Sequence, residues 1–280
     1  MPRLVRVLLL TAAASAVLSG CEREREPTPA PAPAATPSPG NVTPADAAAP
    51  LAFESKNQFA EVKLELPAAI KGHPDLHAQL YAASVRDLRQ FVEGAQADRT
   101  EAGGDDEMPP YAKTILFKPG AETGKLFSLS QMNWDFTGGA HGNAQWGSVL
   151  WDKALKRRIT AADLFRKGAN MAALDQALCA AANTAKKARD PAAETVSLTP
   201  GAMWTCPRAA QTAFVLAPGT TPGKAGGLTF LIAPYQIDSF AAGTYELTVP
   251  LSAFASLLAP AYADEFAGQP VKSGDVTDRG

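Results

Sequence analysis

Eight prolines between residues 27 and 50 confine folding to the chain beyond them. Pro27, Pro29, Pro31, Pro33, Pro37, Pro39, Pro44 and Pro50 punctuate a run of Ala, Thr and Ser in which Val42 is the one large apolar side chain. Proline fixes φ and removes a backbone donor. With almost nothing apolar to bury, the segment has no means to offset the entropy of ordering. It reads as a semi-rigid extended spacer over residues 21–50. At ~3.1 Å per residue it reaches about 90 Å. A ligand for a proline-reading domain is the other reading, but Ala and Thr dominate and no specificity residues flank the prolines.

What precedes the spacer has a different character. Arg3 and Arg6 form a positive start, Val7 to Val17 is apolar and small, and Leu18-Ser19-Gly20-Cys21 follows. The apolar stretch is too short for the ~20 residues of a bilayer span and suits the h-region of a secretory signal over residues 1–20. Small residues at 19 and 20, with cysteine next, match a lipoprotein cleavage site at every position. Lipidation of Cys21 is therefore expected. Several acyl chains, at ~0.8 kcal/mol per buried CH2, hold a protein stably on a membrane. The expectation is a periplasm-facing lipoprotein of the cell envelope. Glu22 after the cysteine, in place of Asp, favours the outer membrane over the inner.

Residues 51–280 are long enough for one domain or two small ones with ample core. Losing Arg3 and Arg6 with the signal takes the formal charge from −2 to −4. Basic residues cluster most densely at Lys153, Lys156, Arg157, Arg158, Arg166 and Lys167, which reads as a solvated strand-to-helix connection, with attraction to an anionic wall polymer as the other reading. Neither this group nor an exported location suits nucleic acid. Cys179 and Cys206 remain once Cys21 is lipidated. In an oxidising compartment they are expected to pair, contributing ~3–3.5 kcal/mol in the chain-entropy account. A catalytic thiol is the competing reading, but neither cysteine has a histidine nearby in sequence.

The periodicities give an α+β class. Ala60, Val62, Leu64 and Leu66 alternate with charged residues as a half-buried strand. Leu76, Leu80, Leu88, Phe91 and Val92 recur at helical spacing, and the helix opens at His73-Pro74-Asp75. Residues 97–110 read as an acidic loop. Tyr111–Phe117 reads as a strand, Pro119-Gly120 as a turn, and Leu126–Phe136 as the next strand. This small strand-helix-strand unit is expected over 51–130. A larger mixed unit with antiparallel strands is expected over 131–266. It holds a strand at Ala144–Trp151, a cap at Thr160-Ala161-Ala162-Asp163 and a short helix through Phe165. A second helix through Met171, Leu174, Leu178 and Ala181 carries Cys179. Strands follow at Thr212–Leu216, Leu228–Ala233 and Thr244–Pro250, then a short helix at Leu251–Leu258. The tail, 267–280, is expected to be disordered.

Two stretches carry a resemblance: Phe136-Thr137-Gly138-Gly139-Ala140-His141-Gly142-Asn143, and Leu228 to Ile237 with Ala241 to Leu251. With Asp163-Leu164-Phe165 between them, they resemble a domain-of-unknown-function family. That family forms the extracytoplasmic domain of the lysozyme-sensing anti-sigma factor RsiV and precedes the catalytic domain of the peptidoglycan deacetylase PdaC. The resemblance implies a stand-alone lipoprotein that binds a cell-wall-related partner, either a lysozyme-like protein or peptidoglycan. Physically, Gly138 and Gly139 permit φ > 0 and a tight bend, which His141 and Asn143 can hydrogen-bond. Pro234-Tyr235 would end a strand, with the Tyr hydroxyl tying down the following loop, and Gly243 would open the return strand. These seven residues are candidates for binding or for loop architecture.

No catalytic motif is recognised. His73 and His77, four apart, have a spacing that can suit a metal, but Pro74 follows His73 where a PdaC-like deacetylase needs Ser or Thr. Asp105-Asp106 lacks the strand context of that enzyme's second motif. A solvated helix start is the expectation for both histidines. Asp135 and Glu246 are the pair of carboxylates weighed for glycoside chemistry. No metal site and no cofactor are expected. An envelope hydrolase or deacetylase with an unrecognised site, and a structural envelope lipoprotein, are the alternatives to a binder.

Overall fold

The protein is described here from a computed structural model covering residues 49–101, 103, 109–201 and 203–278. The expected signal, Cys21, most of the spacer and the Asp105-Asp106 pair lie outside the described residues. The class is α+β, with two sheets and few helices. No helix among the described residues is long and apolar enough to cross a membrane.

The first sheet has six strands in chain order: β1 (Ala52–Lys56), β2 (Ala60–Glu65), β3 (Tyr111–Glu122), β4 (Leu126–Phe136), β5 (Asn143–Asp152) and β6 (Arg157–Ile159). Only β2 and β3 run parallel, and helix α1 (Pro74–Glu101) makes the crossover that a parallel pair requires. Val62 and Leu64 of β2, Ile115 and Phe117 of β3 and Phe127 and Leu129 of β4 meet Leu76, Leu80 and Leu88 of α1. Strands β1 and β6 have no counterpart in the sequence reading. β1 is exposed along most of its length, so its pattern carries no alternation.

The second sheet runs β10-β9-β8-β7, all antiparallel: β7 (Phe214–Pro218), β8 (Ala225–Ile232), β9 (Tyr245–Pro250) and β10 (Gly274–Asp275). Helix α3 (Ala172–Arg189) lays Leu174, Leu178, Ala182 and Ala185 into a core with Phe230, Ile232, Leu247 and Val249. Leu126, Leu150 and Ile159 of the first sheet join that core. The long strands β3, β4 and β5 thus serve both hydrophobic clusters, and β4 runs across the expected boundary at 130/131.

Four expectations are corrected. The acidic loop at 97–110 is helical as far as Glu101, because Ala95 and Arg99 are buried at helical spacing and Arg99 Nη1 donates to the Pro109 carbonyl at 2.9 Å. Pro119-Gly120 is no turn. β3 continues through a bulge to Glu122, and a Cβ at Gly120 would lie 2.5 Å from Ser128 Oγ and 2.9 Å from Val215 Cβ. Gly120 therefore marks the close approach of β3 to β7. There Ser128 Oγ donates to the Ala121 carbonyl and accepts from the Leu216 N–H. The chain turns instead at Thr123–Lys125, where buried Glu265 accepts from Thr123 Oγ1 at 2.6 Å and from the Lys125 N–H at 2.7 Å. Residues 251–258 form two 3₁₀ turns in place of a helix, separated by the buried Phe254.

The fourth correction concerns the tail. Residues 267–278 fold back on the second sheet: the Thr220 N–H donates to the Gln269 carbonyl, β10 pairs with β9, and Arg189 holds Asp275 at 2.9 Å. A polar tail is ordered here by backbone pairing and one ion pair, which an apolar pattern does not reveal.

At Thr160 the expected cap is present. The Asp163 carboxylate accepts from both the N–H and the hydroxyl of Thr160 at 2.8 Å, opening α2 (Ala161–Leu164). A further helical turn, α4 (Pro260–Ala263), supplies the buried Tyr262. The basic group around the β5–β6 hairpin meets acids individually: Lys153 with Glu122, Lys156 with Asp75 and Arg157 with Asp163.

Candidate functional site

The two glycine-bearing loops meet. Residues 137–142 join β4 to β5, with Gly138 at φ 98° and Gly139 at φ 93°. Such angles favour glycine strongly, so the bend at this point is written into the residue type. Gly142 is buried against Trp134, whose ring would lie 2.4 Å from an added Cβ. His141 Nδ1 sits 2.9 Å from the Gly142 carbonyl. A carbonyl only accepts, so Nδ1 carries a proton and donates to it. Nε2 faces the Tyr235 hydroxyl at 3.5 Å. Asn143 opens β5 opposite Asp135, exposed.

The facing loop, residues 233–244, joins β8 to β9. Pro234 leads out of the strand and Tyr235 adopts φ 66°, a left-handed conformation rare for a bulky side chain. The Gln236 side chain accepts from the Ala233 N–H at 2.8 Å. Below the loop, Lys186 of α3 is 2% exposed. Its ammonium donates to the Ile237 carbonyl at 2.5 Å and lies 3.5 Å from Asp238. The Tyr245 hydroxyl donates to Asp238 at 2.9 Å, and burial together with that carboxylate pushes the phenol up to about 12. Burial alone would raise the Asp238 carboxyl. The Ser239 N–H, the Tyr245 hydroxyl and the Lys186 ammonium outweigh it and hold the group below its ordinary value. Arg189 donates to the carbonyls of Ala242 and Thr244 and covers the Tyr245 ring at 3.5 Å. Gly243, at φ 73°, then releases the chain into β9.

The Tyr235 hydroxyl therefore does not tie down its own loop. It reaches across to His141, and the loop is fixed from beneath by Lys186, Asp238 and Arg189. The outer side is a cluster of rings. His141 stacks on Phe240 with centroids 3.7 Å apart and planes 15° apart, and Tyr235 lies 5.6 Å from Phe240 and 6.3 Å from Trp204. Tyr235 is 50% exposed. Trp204 arrives on a third segment, where the Cys179–Cys206 disulfide joins α3 with a Cα separation of 5.2 Å. The structure thus contains the expected disulfide and adds Trp204, Phe240, Gly142, Lys186 and Asp238 to the site. Phe240 follows Asp238-Ser239 and precedes Ala241-Ala242-Gly243, a turn-rich context in which a lone aromatic is the available signal.

No protein-family model matches the chain, and no curated protein matches it. Among solved structures, its neighbours include DUF3298 family proteins. One from Pseudomonas aeruginosa PAO1 shares 18% identity, covers 78% of this chain and 94% of its own, and superposes with a TM-score of 0.45. One from Bacteroides fragilis shares 17% identity, with coverages of 74% and 88% and a TM-score of 0.45. Likeness at this level assigns no activity.

The remaining candidates are dispersed. His73 and His77 are not a solvated helix start. His77 is fully buried and its Nε2–H donates to the Pro50 carbonyl at 3.1 Å. The His73 ring packs on Phe127 at 4.3 Å with Nε2 3.4 Å from Glu122. The apolar face of α1 and the end of β4 draw both rings inward, towards different partners. Asp135 lies in the first sheet opposite Lys113 and Asn143, whereas Glu246 lies in the second opposite Leu231, its carboxyl raised by burial. Among the described residues no group of three His, Cys, Asp or Glu is placed to hold a metal ion. His141 has the Gly142 carbonyl and the Tyr235 hydroxyl as hydrogen-bond partners.

Proposed function

We propose that this protein is a lipid-anchored cell-envelope protein whose folded part is a non-catalytic binding domain. It recognises a cell-wall-related partner, a lysozyme-like protein or peptidoglycan. One observation carries the reading: a ring cluster, with His141 and Tyr235 exposed and Phe240 and Trp204 half-buried, stands on loops fixed from beneath by buried contacts. Rings held in place contribute large contact area with little entropy left to lose, which is the property of a binding anchor. Loops on a rigid scaffold are also where recognition residues concentrate. Lipid at Cys21 and a spacer of about 90 Å would carry this face away from the membrane surface. The reading involves no cofactor and no nucleic acid.

The test is binding of the full chain, held in detergent, to lysozyme and to purified peptidoglycan. Saturable binding to one of them, weakened about thirtyfold by Tyr235→Ala, is expected for an anchor residue. Absence of binding to both by a folded sample removes the reading. The mass of the mature chain and the membrane partition of Cys21→Ser test the anchor separately.

A further inference from the structure

Beside the ring cluster run two depressions that share Gln211 and Thr212 and so form one trough. The nearer, about 350 Å³, is lined by Thr205, Pro207, Gln211, Thr212 and Gln236. The farther, about 240 Å³, continues past Gln211 and Thr212 to Ser148 and Thr160, over Leu150 and Phe214. Trp204 adjoins Thr205 in sequence and Tyr235 adjoins Gln236, so the two stacked rings belong to residues next to the lining of the nearer depression.

The chemistry of the lining is selective. No carboxylate lines either depression. The one cation, Arg208, is engaged by Asp175 at 3.1 Å and by the Leu198 carbonyl at 2.8 Å. The Ser148 and Thr205 hydroxyls and the Gln211 amide make no hydrogen bond within the protein among the described residues, nor does the Gln236 amide nitrogen, leaving neutral donors and acceptors for a ligand. Uncommitted cations, which a phosphate-bearing ligand requires, are missing from this lining. Neutral polar groups spaced along shallow apolar walls, with flat rings on the residues next to Thr205 and Gln236, match a sugar chain. Such a chain offers hydroxyl and amide groups at its edges and C–H faces that pack on aromatic rings. The disulfide at Cys206 fixes this wall to α3 in advance of binding, which lowers the ordering cost.

We infer that the trough takes an uncharged oligosaccharide of several rings, entering over Trp204 and Tyr235 and running past Gln211 towards Ser148. This deepens the reading of the protein as a cell-wall binder and rests on it. The test titrates the full chain with N-acetylglucosamine oligomers, comparing the disaccharide with the tetrasaccharide and hexasaccharide by calorimetry. Affinity should rise at least about tenfold from two rings to four or more, and Gln211→Ala should lower tetrasaccharide affinity about fivefold, the scale of one or two hydrogen bonds. Gln211 is exposed, so this variant keeps its fold, which a thermal melt checks. Equal affinity for all lengths, no oligosaccharide binding, or no effect of Gln211→Ala overturns the trough. If peptidoglycan or lysozyme is still captured, and Tyr235→Ala but not Gln211→Ala abolishes capture, the trough falls and the binder stands. If neither is captured, the binder reading falls on its own test.

Discussion

The two helix-on-sheet layers of this molecule are stabilised differently. Helix α1 and the six-stranded sheet close on side chains such as Leu64, Leu76, Leu88, Ile115, Phe127 and Leu129, all nearly or fully buried. Helix α3 and the four-stranded sheet close on a comparable apolar core. They add a disulfide, the buried Lys186 with Asp238 and Tyr245, and Arg189 with Asp275. The added groups all lie under or beside the loop that carries Tyr235 and Phe240. Apolar burial is non-directional and holds an element down without fixing a loop's path. A buried ammonium that must find a carbonyl and a carboxylate fixes the path, and its value lies in geometry more than in stability. The first layer has directional ties of its own, His77 to Pro50 and Arg99 to Pro109, but the one buried lysine among the described residues lies in the second, under the loop whose shape has to be held.

The sharpest way to break this contrast is to remove one group from each layer. Lys186→Ala leaves Asp238 without its cation and should cost ~3–5 kcal/mol, against ~2–5 kcal/mol for the fully buried Leu88→Ala. Urea denaturation measures both. Partner binding by the folded fraction separates them, since Leu88→Ala should bind normally and Lys186→Ala weakly. Joint replacement by Lys186→Met and Asp238→Asn should recover much of the stability without the binding.

Reduction of Cys179–Cys206 should lower stability by ~3–4 kcal/mol in the chain-entropy account. The effect should be read as a shift in urea midpoint with dithiothreitol. Because Cys206 lies in the trough wall, ligand affinity should fall as well.

The pH profile should show the charged layer at both ends. Asp238 and Asp275 each have a carboxyl held low against the opposing effect of burial. Ser239, Tyr245 and Lys186 do this for Asp238, and Arg189 with Thr277 for Asp275. Their folded-state values lie below the unfolded ones, so their stabilisation is present above about pH 4 and is lost as pH falls further. Tyr245 and Tyr262 are raised to about 12, by burial first and then by Asp238 and Asp152 respectively. A raised value means stabilisation that is complete below about pH 10 and is lost as pH rises towards the folded value. Asp238→Asn should flatten the acid limb, whereas Leu88→Ala should lower the curve without changing its shape. The smallest stability effect is expected for Tyr235→Gly. It releases the left-handed strain at φ 66° and should change the unfolding free energy by no more than about 1 kcal/mol, while binding is lost.

The comparison also marks where sequence reading succeeds. Ala60–Leu66 alternates because one face is buried, and Thr244–Pro250 alternates in residue type although Thr248 on its other face is buried too; both strands stand close to where the pattern puts them. Leu126–Phe136 matches β4 end to end. Gly138, Gly139 and Gly243 were legible as bends because only glycine adopts those angles without strain. Gly120 was misread for the same letter, since its small size serves a strand crossing and not a turn. His73 and His77 were misread because a polar residue at a helix start is normally solvated, and only packing against Phe127 and below Pro50 draws these two inward.

From the residues alone came the class, most strands, the two main helices, the cysteine pairing and two of the loops. Each is written in local periodicity, in glycine's backbone freedom, or in a count of available thiols. Tertiary structure alone decided that Tyr235 meets His141, that Lys186 lies under Ile237, and that Trp204 and Phe240 complete the ring cluster. These contacts join residues tens of positions apart, and a one-dimensional pattern carries no information on which loops the folding of two sheets brings to one place.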